Sequence, residues 1–380
     1  MKIIDRYLLR QFAWTFVICY VSLTGLYVVF DAFTNLEEFL RCAHMEGGLL
    51  ALMFSHYSYQ GIVFFDWTAG LLALIAAMFT VTWIQRHNEM TALLAAGLPR
   101  TRVVAPVIGA AVVIAIVAAA NRELVLPALR EKLIRRPKDL VGDVAQKLTP
   151  CYDNQTEIFI RGKATYGDRK RIHKPEFRLP PALSDYGRVL AAENAFYKPP
   201  HGDRPGGYLF EKVEEPKGLH TQPSLSLDER PVIITPRDAP DWLRPNQCFV
   251  ASEISFEQLT ATDAWRRYSS TASLIAGLHN RSLGYGADVR VAIHSRFVQP
   301  FLDVTLLFLG LPLVLRREDR NVFLAIGLAA GVVAVFMVVV IGFQYLGSRS
   351  ISWISPALAA WAPLMIFVPV AVGMSDSIRE

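Results

Sequence analysis

Six apolar runs constrain this chain more than any other feature. They cover residues 12–30, 59–84, 103–120, 297–315, 322–346 and 353–374. A bilayer crossing takes roughly 20 consecutive apolar residues as a helix. Lipid offers the backbone no hydrogen-bond partners, so each run must satisfy its own peptide groups by being helical. The expected product is an α-helical integral membrane protein with six spans in a three-plus-three arrangement. Lys2, Arg6 and Arg10 precede the first run, which lacks the short apolar region and small-residue cleavage site of a signal peptide and is expected to stay in the membrane.

Charge sets the orientation. The short loops on the N-terminal side carry Arg86, Arg100, Arg102, Arg316, Arg317 and Arg320, and the opposite short loops only Arg41 and Arg349. By the positive-inside rule both termini are cytoplasmic and the long polar segment between the third and fourth runs lies outside. The net charge of +5 gathers at the ends of apolar runs rather than along one face, which excludes a nucleic-acid footprint.

That polar segment, residues 121–296, holds fifteen of the 22 prolines. Short runs rich in β-formers at 157–160, 189–197, 208–213, 231–235 and 247–254 are separated by Pro, Gly and Asp clusters, and helical periodicity returns only at 256–268. An inserted all-β sandwich or open barrel is expected. Alternation in 189–197 would put Val189, Ala191, Glu193, Ala195 and Tyr197 on one face and Leu190, Ala192 and Phe196 on the other, around an apolar interior. Cys151 and Cys248 fall in this segment, and their pairing is left open. The divisions are 1–120 for spans one to three, 121–296 for the β domain and 297–380 for spans four to six.

Between the second and third runs, residues 86–98 read as a small amphipathic helix. Met90, Leu93, Leu94 and Leu98 recur at helical spacing beside Asn88, Glu89 and Thr91, and Gly97 and Pro99 close it. Such a helix is either a handle for a soluble partner, with Glu89 meeting an arginine, or an anchor touching only lipid.

Chemistry is sparse. No phosphate-cradling G-x-x-x-x-G-K-[ST] loop, H-E-x-x-H pair or G-x-S-x-G elbow occurs, and the eight histidines are scattered without metal-ligand spacing. No cofactor is implied. Asp31, Asp66, Arg296 and Asp303 lie near the outer ends of spans, where charges are functional candidates by default. Snorkelling is expected of Asp31 and Arg296. His56 with Asp66 is the only acid and base combination a lipid-modifying enzyme could use there. Gly327 and Gly331 form a G-x-x-x-G face in the fifth run, and Gly25 is a small residue in the first that could meet it.

The order of parts resembles the LptF/LptG (YjgP/YjgQ) permease subunits of the lipopolysaccharide export ABC transporter. The resemblance is carried by Asp5-Arg6-Tyr7, by Glu89 with Ala95-Ala96-Gly97, and by Asn121-Arg122-Glu123 with Pro127. Arg296-Phe297-Val298-Gln299-Pro300, Gly310-Leu311-Pro312-Leu313 with Arg316-Arg317, and Gly327 complete it. It implies a non-catalytic subunit of the bacterial inner membrane, with a jellyroll-like periplasmic domain. The implied partners are a separate ABC ATPase dimer, a second six-span permease subunit, a periplasmic lipid-bridge protein and lipopolysaccharide. Glu89, Met90, Leu93, Leu94 and Gly97 would then form the ATPase-coupling helix. Gly25, Tyr27, Asp31, Asp66, Arg296, Gly327 and Gly331 would line the lateral gate and lipid path. Some members carry a lysine in the outer part of span one where this chain has Leu26-Tyr27-Val28-Val29, so the subunit type stays open. A subunit that transmits motion without conducting lipid is the alternative.

Overall fold

Every apolar run folds as a helix that continues past it at one end or both, because a helix keeps its backbone paired on either side of the hydrocarbon boundary. The computed structural model describes residues 3–42, 48–134, 145, 148, 150–167, 169–185, 187–201, 204–227, 230–239, 241–260, 262–279, 285–315, 322–349 and 354–379. Arg316, Arg317 and Arg320 lie outside them. The first helices are α1 (Ile3–Thr34), α2 (Leu36–Cys42), α3 (Leu49–Arg86), α4 (Glu89–Ala95) and α5 (Arg100–Ala120). A wide π turn, Asn121–Val125, follows, and then α6 (Leu126–Ala128) and α7 (Arg130–Ile134). After the strands come α8 (Phe256–Thr260), α9 (Thr262–Tyr268), α10 (Thr271–His279), α11 (Ala287–Leu315), α12 (Val322–Ser348) and α13 (Pro356–Arg379). Six of these helices are long and apolar enough to cross a membrane.

The chain divides into two units, one of Met1–Leu36, Gly47–Leu129 and Gly286–Glu380, the other of Glu37–Glu46 and Arg130–Tyr285. The boundaries thus fall about ten residues from the expected 120/121 and 296/297. The reason is that polar Arg122, Glu123, Arg290 and Arg296 are carried inside continuous helix and do not terminate it.

In the helical unit, Ala73, Ala76 and Ala77 of α3 are buried in one cluster with Val103, Val107 and Ala111 of α5 and Val298, Leu302 and Leu306 of α11. Small residues let these backbones approach closely, which matters where lipid is as apolar as the side chains it would replace. By contrast Ile18, Val21, Leu26 and Val29 of α1 and Val335, Val338 and Ile341 of α12 are exposed.

The second unit is an antiparallel sheet of β1 (Cys151–Asp153), β2 (Ile158–Tyr166), β3 (Arg171–Arg178), β4 (Val189–Lys198), β5 (Gly207–Glu215), β6 (Leu225–Leu227), β7 (Arg230–Ile234) and β8 (Gln247–Ala251). Their order across the sheet is β1-β2-β3-β4-β5-β8-β7-β6. The sheet curls on itself. Asp153 on edge strand β1 accepts a hydrogen bond from Ser252, just after β8, at 2.7 Å, although a flat sheet would hold those strands roughly 24 Å apart. Asp153 also accepts the Gln155 N–H at 3.0 Å, so this fully buried carboxylate closes the jellyroll-like curl.

Side chains fill the interior: Ile160, Ile172, Phe177, Ala195, Tyr208, Phe210, Cys248 and Val250 are all fully buried in one cluster. Inward positions recur every second residue with one exception, a step of three taken at the same row of four strands. It runs from Gly162 to Thr165, Ile172 to Pro175, Ala192 to Ala195 and Phe210 to Val213. Lys174 (φ 48°) and Lys212 (φ 55°) absorb the extra residue in the left-handed region. The simple parity expected of 189–197 is therefore wrong: Leu190 and Ala192 face inward, and so do Ala195 and Tyr197. Cys151 and Cys248 are thiols and not halves of a disulfide, and burial pushes both above the usual thiol range.

Lys170 in the turn before β3 pairs with Glu257 of α8 at 2.5 Å. Burial opposes ionisation of this carboxyl, but the Lys170 hydrogen bond and a backbone N–H outweigh it and hold the group below the ordinary glutamate range. Stability from a depressed carboxyl is complete above the unfolded pKa, about 4.3, and is lost as pH falls through the folded one. Thermal unfolding of the full chain, followed by the infrared band of its sheet, is expected to lose stability below about pH 4 less steeply in Glu257→Gln than in the native chain. Identical slopes would remove Glu257 as a contributor.

Candidate functional site

Two sets of polar side chains are built into the helical unit, one at the C-terminal end of α3 and one near its middle. The first surrounds α4. Expected over 86–98, this helix is shorter because α3 runs to Arg86 and the chain then reverses through Asn88, whose φ of 59° is one that asparagine tolerates. Its C-terminus closes with the Leu98 N–H on the Leu93 carbonyl and the Gly97 N–H on the Leu94 carbonyl. Gly97, at φ 81°, occupies the position that favours glycine. Met90 is buried, and Leu93, Leu94 and Leu98 pack against the same helical core as Leu8, Phe12, Val103 and Leu311. An anchor that touches only lipid does not have its apolar side in the core, so that reading is set aside. Thr91, Ala92, Ala95 and Ala96 form the exposed side.

The N-terminus of α1 clamps this hairpin from both sides. Tyr7 donates its hydroxyl to Glu89 at 3.2 Å, and Asp5 pairs with Arg102 at 3.0 Å. Both contacts are partly exposed, so each contributes at most about 1 kcal/mol.

The second set is buried. Arg122 Nε lies 3.1 and 3.2 Å from the two oxygens of Asp66, with side-chain exposures of 18% and 8%. Glu123 stands 3.8 Å from Arg296, whose side chain is 11% exposed. Asn121 Nδ2 donates to the Ile62 carbonyl at 3.2 Å. The π turn makes this possible. Pro127 has no N–H for the carbonyl four residues back, and its ring crowds that carbonyl. The turn widens, and the Leu126 N–H bonds Asn121 O instead. Three successive residues then meet α3, Asp66 and α11 respectively, a concentration of polar contacts typical of π turns at functional positions.

A family model described as lipopolysaccharide export system permease LptF/LptG matches residues 6–171 and 216–376. The chain belongs to that family. No curated protein matches it. It is accordingly a multi-pass inner-membrane permease of lipopolysaccharide export.

The permease brings some expected site residues together and separates others. Asp66 and Arg296 share one network, and Arg296 does not snorkel: its side chain is 11% exposed, with the partly exposed Glu123 3.8 Å away. Asp31 accepts a hydrogen bond from Tyr57 at 2.9 Å, and Tyr27 stacks on Phe64 at 5.5 Å, so both face α3 of their own chain. Gly25, Gly327 and Gly331 have open space where a side chain would extend. His56 and Asp66 stand ten residues apart on one helix, about 15 Å along its axis. The charged groups acting on them also differ, Asp31 for His56 and chiefly Arg122 for Asp66, so the lipid-enzyme reading has no shared pocket. Arg122, Glu123, Asp5 and Tyr7 were not singled out as site residues, although the runs Asn121-Arg122-Glu123 and Asp5-Arg6-Tyr7 carried the signal.

The β domain has a cleft of about 1090 Å³ at one end of its curl. Tyr197, Leu227, Val232 and Ala251 form its apolar part, and Arg204, Arg230 and Glu253 its charged part. Arg204 lies 4.4 Å over the Trp242 ring.

Removing one partner of a buried pair strands the other charge, at about 3–5 kcal/mol, whereas apolar replacement of both is close to neutral. Arg122→Met is therefore expected to lower the unfolding temperature in detergent markedly, and Asp66→Leu with Arg122→Met to recover most of the loss. A double variant as unstable as the single one would show that the pair is not what ties α3 to the π turn.

Proposed function

We propose that this chain is the membrane subunit through which a separate ABC ATPase dimer extracts lipopolysaccharide from the inner membrane, with α4 as the coupling helix. The observation that carries this is the seating of α4. Its apolar side is part of the core that also holds α1, α5 and α11, while its outer side, Thr91, Ala92, Ala95 and Ala96, is small. A push on such a wedge is passed to three spans at once, because a close-packed interior transmits displacement. Glu89, held by Tyr7, supplies a fixed carboxylate for a basic side chain of the ATPase. In this reading both termini are cytoplasmic and the β domain is periplasmic.

A second six-span subunit, either a copy or a sister, pairs through the faces that stand open in this chain. Gly25 of α1 and Gly327 and Gly331 of α12 are suited to a seam that closes tightly and parts again. Lipid leaving that seam enters the β domain at its cleft and passes to a bridge protein. The filled interior favours the other reading, a subunit that transmits motion and conducts nothing, since it contains no continuous apolar groove among the described residues.

Glu89→Lys is expected to abolish co-purification of the ATPase with the tagged chain while leaving the chain in the membrane. Full stoichiometry and full coupled ATP hydrolysis in that variant would remove α4 from this role.

The two readings differ in what touches lipid. Photo-crosslinkers at Gly25 and Gly331, and at Tyr197 and Leu227 in the cleft, are expected to capture lipopolysaccharide during ATP turnover, and one at Phe210 in the filled core is not. Capture at none of these positions would favour the motion-transmitting subunit.

A further inference from the structure

Asp303 on α11 is an ionisable group inside the helical unit to which the proposed function assigns nothing. Its carboxyl lies against Gly70 of α3, where a Cβ would overlap it. It accepts a hydrogen bond from Gln299 Nε2, one turn back, at 2.9 Å. Beside it Ala73, Leu74, Ala111, Val304 and Leu307 enclose a space of about 10 Å³ for the centre of a water molecule, the lower limit for holding one. Apart from one amide, the surroundings of this carboxyl are hydrocarbon.

The charges that reach Asp303 are Arg122 and Asp66. Arg122 is already engaged by both oxygens of Asp66, and Arg296 is opposed by Glu123. Among the described residues, no other element packed on α11 brings a countercharge. Between Gly61 and Gln85, α3 carries Asp66 alone; α5 has no titratable residue from Val103 to Ala120; α13 has none from Pro356 to Ser375. From Gly327 to Ser348, α12 carries only Tyr345, near the level of Val291 and so about 18 Å along α11 from Asp303. Arg296 also acts on Asp66, so three carboxyls, Asp66, Glu123 and Asp303, share two guanidiniums, Arg122 and Arg296, in a region of low dielectric, where all three do not ionise together.

We propose that Asp66, Arg122 and Asp303 form an intramembrane proton-binding site holding a single proton, carried on the Asp303 carboxyl. Asp66 stays ionised because it has the two-oxygen contact with Arg122. The proton comes from water and returns to it, and no other bond changes. A neutral Asp303 lets α3 and α11 close at Gly70. An ionised one requires water or a cation, and the two helices must part to admit either, so this seam senses proton occupancy.

The test is infrared spectroscopy of the full chain in lipid bilayers at neutral pH, with and without ¹³C at the aspartate carboxyls. An isotope-shifted carbonyl band of a protonated aspartic acid is expected in the native chain. In Asp303→Glu the acid band is expected to remain but to lose its isotope shift, which places the proton at this position and not on Asp66. In Asp66→Asn the band is expected to vanish, because Arg122 is then free to hold Asp303 ionised. Absence of an aspartic-acid band in the native chain overturns the proposal, including the case where a metal cation takes the proton's place, and this measurement stands even if a variant fails to insert. A band that keeps its isotope shift in Asp303→Glu, or persists undiminished in Asp66→Asn, also overturns it.

Discussion

Arg122 meeting Asp66 is the contact on which the helical unit depends. A lone charge in hydrocarbon is costly by any scale, so each of these two residues can lie there only in the other's presence. That requirement ties α3 to the chain beyond α5, and Pro127 widens the turn that lets it be met. Glu123 extends the same requirement to Arg296, so α3, α5 and α11 are pinned at one end by polar groups that have nowhere else to go. Between the pinned end and α4 the packing is small and apolar, which lets the helices lie close without holding a particular register strongly.

The C-terminal end of α3 and its middle therefore differ in stiffness. Around α4 the contacts are Tyr7 with Glu89 and Asp5 with Arg102, both partly exposed and individually weak. At the π turn the Arg122–Asp66 pair is buried and strong, and the Glu123–Arg296 pair beside it is longer and partly exposed. The proposed coupling through α4 would use this gradient, since a push there meets weak contacts while the π turn holds. The faces left open, on α1 and α12, belong to the helices whose side chains are least buried.

The β domain solves a different problem, that of one sheet enclosing its own interior. Its closure rests on Asp153, and the shared step of three at Lys174, Glu193 and Lys212 keeps the central strands in register while their inward faces change phase. Glu193 and Lys212 then stand together on the outer side, 2.6 Å apart.

By itself the sequence determined the six spans, the β insertion, the family and the amphipathic character of 86–98, because length, hydropathy period and motif order are properties of neighbouring residues. It also placed Asp66 and Arg296 inside or beside the membrane. What it could not convey was partnership. Arg122 lies 56 residues from Asp66 and Glu123 is far from Arg296 in the chain, so whether those charges snorkel or pair depends on how helices distant in sequence are packed. Strand parity failed for a related reason, since a positive φ at Lys174 and Lys212 is selected by the adjoining strands and not by the local run. Tertiary structure alone decided that Tyr27 and Asp31 turn toward their own α3 while Gly25, Gly327 and Gly331 stay open, because which face of an all-apolar helix is covered depends on its neighbours in space.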